Sequence, residues 1–132
     1  MKRFLLDSSF LIDLLNEIAD ASKGPAFEWL ERNEKAQLWI SPVTLAEVLE
    51  GASDAKVVKS YLARYSWQGI HRVHAEKAAL RQKRSSRRMG ENDAWQCALA
   101  EHMDAVIVGH DPAAFQRLGA RYDDHRRSGK PI

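Results

Sequence analysis

The sequence predicts an α/β fold, a three-layer α/β/α arrangement around a central, mainly parallel sheet, and three observations carry that prediction. Short apolar runs of strand length alternate with segments of helical period along the chain. The run Ala105-Val106-Ile107-Val108 is apolar throughout and β-branched after its first residue, the pattern of a central strand covered on both faces. Acids follow strands at Asp7 and Asp111, and ligand sites of parallel sheets form beyond the carboxyl ends of strands.

Arg3-Phe4-Leu5-Leu6 reads as a first strand ending at an acid. Ser8 or Ser9 caps the next helix, whose Phe10, Leu11, Leu14 and Leu15 recur at helical spacing. Gly24-Pro25 breaks the chain and sets Pro25 in the first turn of a second helix carrying Phe27, Trp29 and Leu30. Gln37-Leu38-Trp39-Ile40 is the next strand. Ser41 caps and Pro42 opens a helix that runs through Val43, Ala46, Glu47 and Leu49 until Gly51 stops it. A more polar helix is expected over 55–65, and 68–73 reads equally as strand or loop. A helix over 74–89 is ended by Gly90, and Asn92 caps another from Asp93 to about His102. After the strand at 105–108, Gly109-His110-Asp111-Pro112 turns the chain into a short helix through Phe115 and Leu118. Ala120-Arg121-Tyr122 then adds an edge strand.

At 132 residues the chain is expected to form one domain over 1–132 with a single core. A 45% hydrophobic and 29% charged composition is that of a soluble globular protein, and the lone Cys97 cannot make an internal disulfide. Met1-Lys2-Arg3 and the apolar run after it imitate a signal peptide, with Ala19-Asp20-Ala21 as a mock cleavage site; Asp7 and Asp13 interrupt that run and oppose insertion. No stretch approaches the length that spans a bilayer, so a cytoplasmic protein without a membrane partner is expected. A net charge of +2 permits a nucleic-acid partner without demanding one.

Four acids stand at ends of these elements: Asp7 in FLLDSSFLI, Glu47 in SPVTLAEVLEG, Asp93 in GENDAWQCALA and Asp111 in AVIVGHDPAAF. Gathered in one cleft they would repel one another, and one would take up a proton unless a cation intervened. Oxygen donors without a His or Cys cluster suit Mg²⁺ or Mn²⁺ rather than Zn²⁺. Such an ion would bind a phosphate oxygen and lower the pKa of an attacking water. Asp7, Asp93 and Asp111 are assigned as direct or water-mediated ligands, Glu47 as a ligand or as the group that orients the water. Plainer readings exist. Asp93 complements a helix dipole, and Asp111 before Pro112 makes a turn. Asp7 beside apolar neighbours and Glu47 beside Leu45, Ala46 and Val48 are harder to explain without a partner. Asp13, Glu50, Glu91 and Asp104 read as surface or capping groups.

In order and separation these motifs resemble the PIN-domain nucleases, and in size the VapC-type toxins of type II toxin-antitoxin systems, from Phe4 to Phe115. The resemblance implies that Asp7, Glu47, Asp93 and Asp111 form the family's acidic quartet, with Ser9 as a hydroxyl beside the first acid. It implies a metal-dependent endoribonuclease silenced by a cognate antitoxin. Two positions depart from the family pattern: Gly109 stands where Thr or Ser is frequent, and Ala114 where Asp is frequent.

Within the basic run Arg81, Lys83, Arg84, Arg87 and Arg88, the residues Arg84, Arg87 and Arg88 are candidates to hold an RNA backbone; a solvated helix face is the alternative. His110 reads as a bystander, and His71, His74, His102 and His125 lack ligand spacing. Trp29, Trp39, Trp67 and Trp95 are core candidates, although Trp29 and Leu30 with the Leu11, Leu14, Leu15 stripe would also make a groove for an antitoxin helix. Leftover apolar surface suits a partner, and a homodimer is expected. Two other readings stay open: an RNA-processing nuclease without inhibitor, and a non-enzymatic interaction domain whose acids only cap.

Overall fold

The apolar runs do form a sheet. A computed structural model describes residues 2–115 and 121–127. Strands β1 (Arg3–Leu6), β2 (Gln37–Ile40), β3 (Ser66–Trp67), β4 (Val106–Gly109) and β5 (Tyr122–Asp124) line up in the order β3-β2-β1-β4-β5. Every neighbouring pair is parallel. The helices are α1 (Ser8–Ala19), α2 (Pro25–Arg32), α3 (Pro42–Glu50), α4 (Ala55–Leu62), α5 (Arg72–Arg84), α6 (Glu91–Met103) and α7 (Pro112–Phe115).

Side chains on the two central strands alternate between faces, as strand geometry requires. Leu5 and Ile107 enter a core with Ala78 of α5 and Cys97, Leu99 and Met103 of α6. Phe4, Leu6 and Val108 enter the opposite core with Phe10, Leu11 and Leu14 of α1, Trp29 of α2, Val48 of α3 and Leu62 of α4. Two apolar faces on one sheet therefore give three layers. Trp29 is fully buried, with Phe4 and Phe10 edge-on to it at 4.9 and 5.4 Å between centroids, so it belongs to the core and not to a surface groove. Cys97 is a free, buried thiol.

Several boundaries differ from expectation. The residue that caps α1 is Asp7, whose side chain accepts from the Ser9 N–H, rather than Ser8 or Ser9. Helix α4 stops at Leu62, short of Tyr65. Strand β3 precedes the 68–73 window, in which residues 68–71 are loop. Helix α5 begins two residues early and ends at Arg84 instead of continuing to Met89. There the Gln82 carboxamide both accepts from the Met89 N–H and donates to the Met89 carbonyl, at 2.9 Å each, and so substitutes for the next helical turn. Helix α6 starts at Glu91 with Gly90 as its cap, which puts Asn92 inside the first turn. Asp104 ends α6 in the left-handed conformation, φ 52°, a role that short polar side chains tolerate. Tyr122 does enter an edge strand, running on to Asp124; Leu118 and Ala120 lie outside the described residues. Among the described residues no helix is long and apolar enough to cross a membrane.

The order 3-2-1-4-5 reverses direction between β1 and β4. At such a switch point the loops leaving the two strands diverge, opening a crevice at their carboxyl ends. Asp7 leaves β1 there, and Asp111 follows β4 by two residues.

Candidate active site

Asp7 is 5% exposed, the most buried of the four acids. Its N–H continues the sheet by donating to the Val108 carbonyl at 2.9 Å. Its Oδ2 accepts from the Ser9 N–H at 3.2 Å and the Ser9 hydroxyl at 2.7 Å, and the Gln96 carboxamide donates to the same carboxylate. Burial nevertheless outweighs these bonds and raises its pKa, and repulsion from Asp111 adds to the shift.

Glu47 projects from α3, half-buried, and accepts from the Ser8 hydroxyl at 3.2 Å and from the Asn92 side chain. Burial, then the charge of Asp7, raises its pKa. Asp93 stands in the first turn of α6. A helix N-terminus alone would hold a carboxyl low. Instead burial first, then Asp111, Asp7 and Glu47, push Asp93 up to about 6. Burial together with repulsion from the other acids thus outweighs the dipole, and the capping reading alone fails to account for Asp93. Asp111 does cap α7, its Oδ1 accepting from the Ala114 N–H at 3.3 Å, while the Tyr122 hydroxyl takes the Asp111 N–H at 3.0 Å. The charges of the other three expected acids, each on a separate element, therefore all reach Asp93.

Ser9 links the two halves of this cluster. Its hydroxyl donates to Asp7 and accepts the His110 N–H at 2.8 Å, joining the end of β1 to the turn after β4. Gly109 is what makes room for it: a Cβ at that position would lie 2.6 Å from Ser9 Oγ and 2.9 Å from the Asp7 Cβ. The His110 ring turns away to Asp124, 3.1 Å from Nδ1 to either carboxylate oxygen.

Asp93 and Asp111 line a cleft of about 280 Å³ with Arg87, Arg88, Ala113 and Ala114. Arg84 faces a separate hollow with Lys77, Arg81 and Glu101, where Arg81 donates to Glu101 at 3.0 Å. The three candidate arginines are thus divided, Arg87 and Arg88 at the acids and Arg84 away from them.

All donors in the cluster are oxygens, the set that a hard dication takes. Among the described residues no three His, Cys, Asp or Glu side chains are gathered tightly enough to hold an ion by themselves. An ion that keeps several waters and takes one or two carboxylates directly fits that spacing, as Mg²⁺ does. The charges of Asp111, Asp7 and Glu47 that raise Asp93 are likewise what a bound cation relieves.

Sequence reading missed the groups that hold the acids in place. Gln96, Thr44 and Ser41 form a buried polar network beneath Asp7; Ser8 and Asn92 hold Glu47; Tyr122 holds Asp111. Gln96 alone left a local signal, lying three residues after Asp93 on the same helix face.

The chain matches the family model described as the PIN domain over residues 4–120. No curated protein matches it. Its fold is similar to a toxin-antitoxin complex from Klebsiella pneumoniae, with TM-score 0.75, 21% identity, and coverage of 92% of this chain and 96% of that one. VapBC-1 from nontypeable Haemophilus influenzae follows at TM-score 0.71 and 21% identity, covering 95% and 99%. DNA-bound VapBC from Salmonella typhimurium gives TM-score 0.72 and 20% identity, again over 95% and 99%.

Proposed function

Because the chain belongs to the PIN domain family, whose members are nucleases, we propose that it is a VapC-like toxin: a cytoplasmic, metal-dependent endoribonuclease neutralised by a cognate antitoxin, with residues 1–132 as one domain. The observation that carries the reading is Asp93, raised to about 6 by burial and by three other carboxylates brought to it from distant parts of the chain.

Asp7, Asp93 and Asp111 would hold Mg²⁺ or Mn²⁺, directly or through water, at the mouth of the β1–β4 crevice. Bound there, the ion would supply charge to a phosphate oxygen and acidity to a water. Glu47, oriented by Ser8 and Asn92, would accept the proton of the attacking water or join the ligand set. Arg87 and Arg88 grip the substrate backbone at the rim, a contribution that weakens as salt rises. Ser9 keeps the Asp7 carboxylate turned toward its partners.

The antitoxin has a candidate seat elsewhere. An apolar groove of about 450 Å³ runs between α1 and α3–α4, lined by Ile12, Leu15, Ile18, Val48, Val57 and Val58. Ile12, Ile18 and Val57 are exposed there, and an amphipathic helix or a second copy of the chain would cover them.

The test is cleavage of an RNA substrate by purified protein. Cutting is expected with Mg²⁺ or Mn²⁺, and is expected to stop in chelator and in a folded Asp7→Asn variant. Cleavage that survives either change refutes the metal mechanism. A short reading frame directly upstream of the gene, coding for a protein that binds and silences this one, distinguishes a toxin from an RNA-processing nuclease.

A further inference from the structure

Gln96 is polar where its helix is otherwise apolar. Ala94, Cys97, Ala98, Leu99 and Ala100 around it are core, and Gln96 itself is 1% exposed. A buried carboxamide is costly unless its hydrogen-bonding capacity is used. Here it is used. Oε1 accepts from the Ser41 hydroxyl at 2.7 Å, and Nε2 donates to Thr44 Oγ1 at 2.9 Å and to the Asp7 carboxylate.

The orientation of the amide is fixed by its partners. Thr44 Oγ1 gives its own hydrogen to the Leu6 carbonyl at 3.0 Å, so toward Gln96 it can only accept. An ionised carboxylate also only accepts. The NH₂ group must therefore face both, and the oxygen must face Ser41. Ser41 in turn accepts the Thr44 N–H at 3.3 Å, which ties the network to the start of α3. Ser9 holds Asp7 from the other side. We infer that Gln96, braced by Ser41 and Thr44, is a positioning residue that fixes the Asp7 carboxylate for metal binding. This inference rests on the reading proposed above.

Its test is metal affinity together with turnover. Mn²⁺ is titrated by calorimetry into chelator-stripped protein, as wild type, Gln96→Met, Asp7→Asn and the double variant, each checked for folding by circular dichroism. Gln96→Met keeps the length of the side chain and removes its polar atoms, and is expected to need roughly 10–100-fold more Mn²⁺ for half-saturation. In the Asp7→Asn background the same change is expected to shift half-saturation by about twofold or less, because Gln96 acts through Asp7. Equal losses in both backgrounds, or no loss in either, overturn the inference. Wild-type protein that neither binds Mn²⁺ nor cuts RNA removes the nuclease reading and this inference together; normal wild-type binding with an unaffected Gln96→Met removes only the inference. Should Gln96→Met not fold, Mg²⁺ added to ¹⁵N-labelled wild type decides. The Gln96 side-chain amide resonances must move along with the Asp7 backbone amide, and a Gln96 amide that stays fixed while Asp7 shifts overturns the role.

Discussion

The Ser9 hydroxyl occupies the space that a side chain at position 109 would need, so the departure at Gly109 and the presence of Ser9 are one structural fact. Gly109→Ser, which would restore the frequent family residue, is expected to harm this protein. A Cβ 2.6 Å from Ser9 Oγ and 2.9 Å from the Asp7 Cβ forces one of them to shift, at about 1–3 kcal/mol of stability. Urea unfolding should show that loss, and adding Ser9→Ala should recover part of it; a Gly109→Ser protein as stable as wild type would contradict the crowding. Asp7 supports a second expectation. Burial raises its pKa, so its charged form strains the fold, while Asn caps a helix about as well as Asp. Asp7→Asn should therefore melt roughly 2–6 °C higher than wild type in chelator. Its cleavage should fall by more than the roughly 10–100-fold that loss of a supporting group costs. A lower melting point would show that the Asp7 carboxylate stabilises the fold, against its burial cost.

Among the elements, β5 and the turn after it do more than extend the sheet. Asp123 takes the Trp29 indole N–H at 2.9 Å, Asp124 takes the His110 ring, and His125 and Arg126 converge on Asp13 of α1 at 2.7 and 2.8 Å. Burial alone would raise the pKa of Asp13, but hydrogen bonds from Arg126 and His125, with their charges, hold it below its ordinary 3.8. A depressed carboxyl contributes stability at pH values above 3.8, and that contribution disappears as pH falls through the lowered folded value. Asp13→Asn should thus cost about 1 kcal/mol at neutral pH, little of it from the half-exposed Arg126. The gap to wild type should hold down to about pH 4 and close below it in urea titrations; a gap that instead widens in acid would refute the assignment. None of this was legible in the sequence, where Asp13 reads as a surface group, because its partner His125 is 112 positions away. Strands β1 and β2 and the Ser41-Pro42 start of α3 were legible to the residue, since apolar runs, caps and prolines act within a few positions. The end of α5 was not: a helix-like composition runs on through Arg87 and Arg88, and a side-chain bond from Gln82 to the backbone of Met89, seven residues on, stops it.

On the scale of the whole molecule, parallel topology explains why the four acids were legible while their supports were not. A strand-then-acid pattern is local, and a switch point converts two such patterns into one crevice; hydroxyls and amides that reach across the sheet carry no such signature. The same topology relates the cleft to the apolar groove. Helix α1 begins at Asp7 and α3 carries Glu47, and both helices also wall the groove, so a partner seated there touches the two elements that present two of the acids. Ile18 and Val57 are 49% and 62% exposed on that wall. Removing them costs the core little, because neither belongs to it. An Ile18→Glu, Val57→Glu double variant should cut RNA within about twofold of wild type, since surface changes remote from the reacting groups are nearly neutral. Its affinity for the proposed antitoxin should fall by roughly 30-fold or more, the effect of losing a buried anchor that costs about 2 kcal/mol or more. Sedimentation of the free protein reports in parallel whether a second copy uses the same surface. Antitoxin affinity unchanged in the double variant would remove the groove as its seat, and would leave the cleft itself as the surface that an inhibitor must cover.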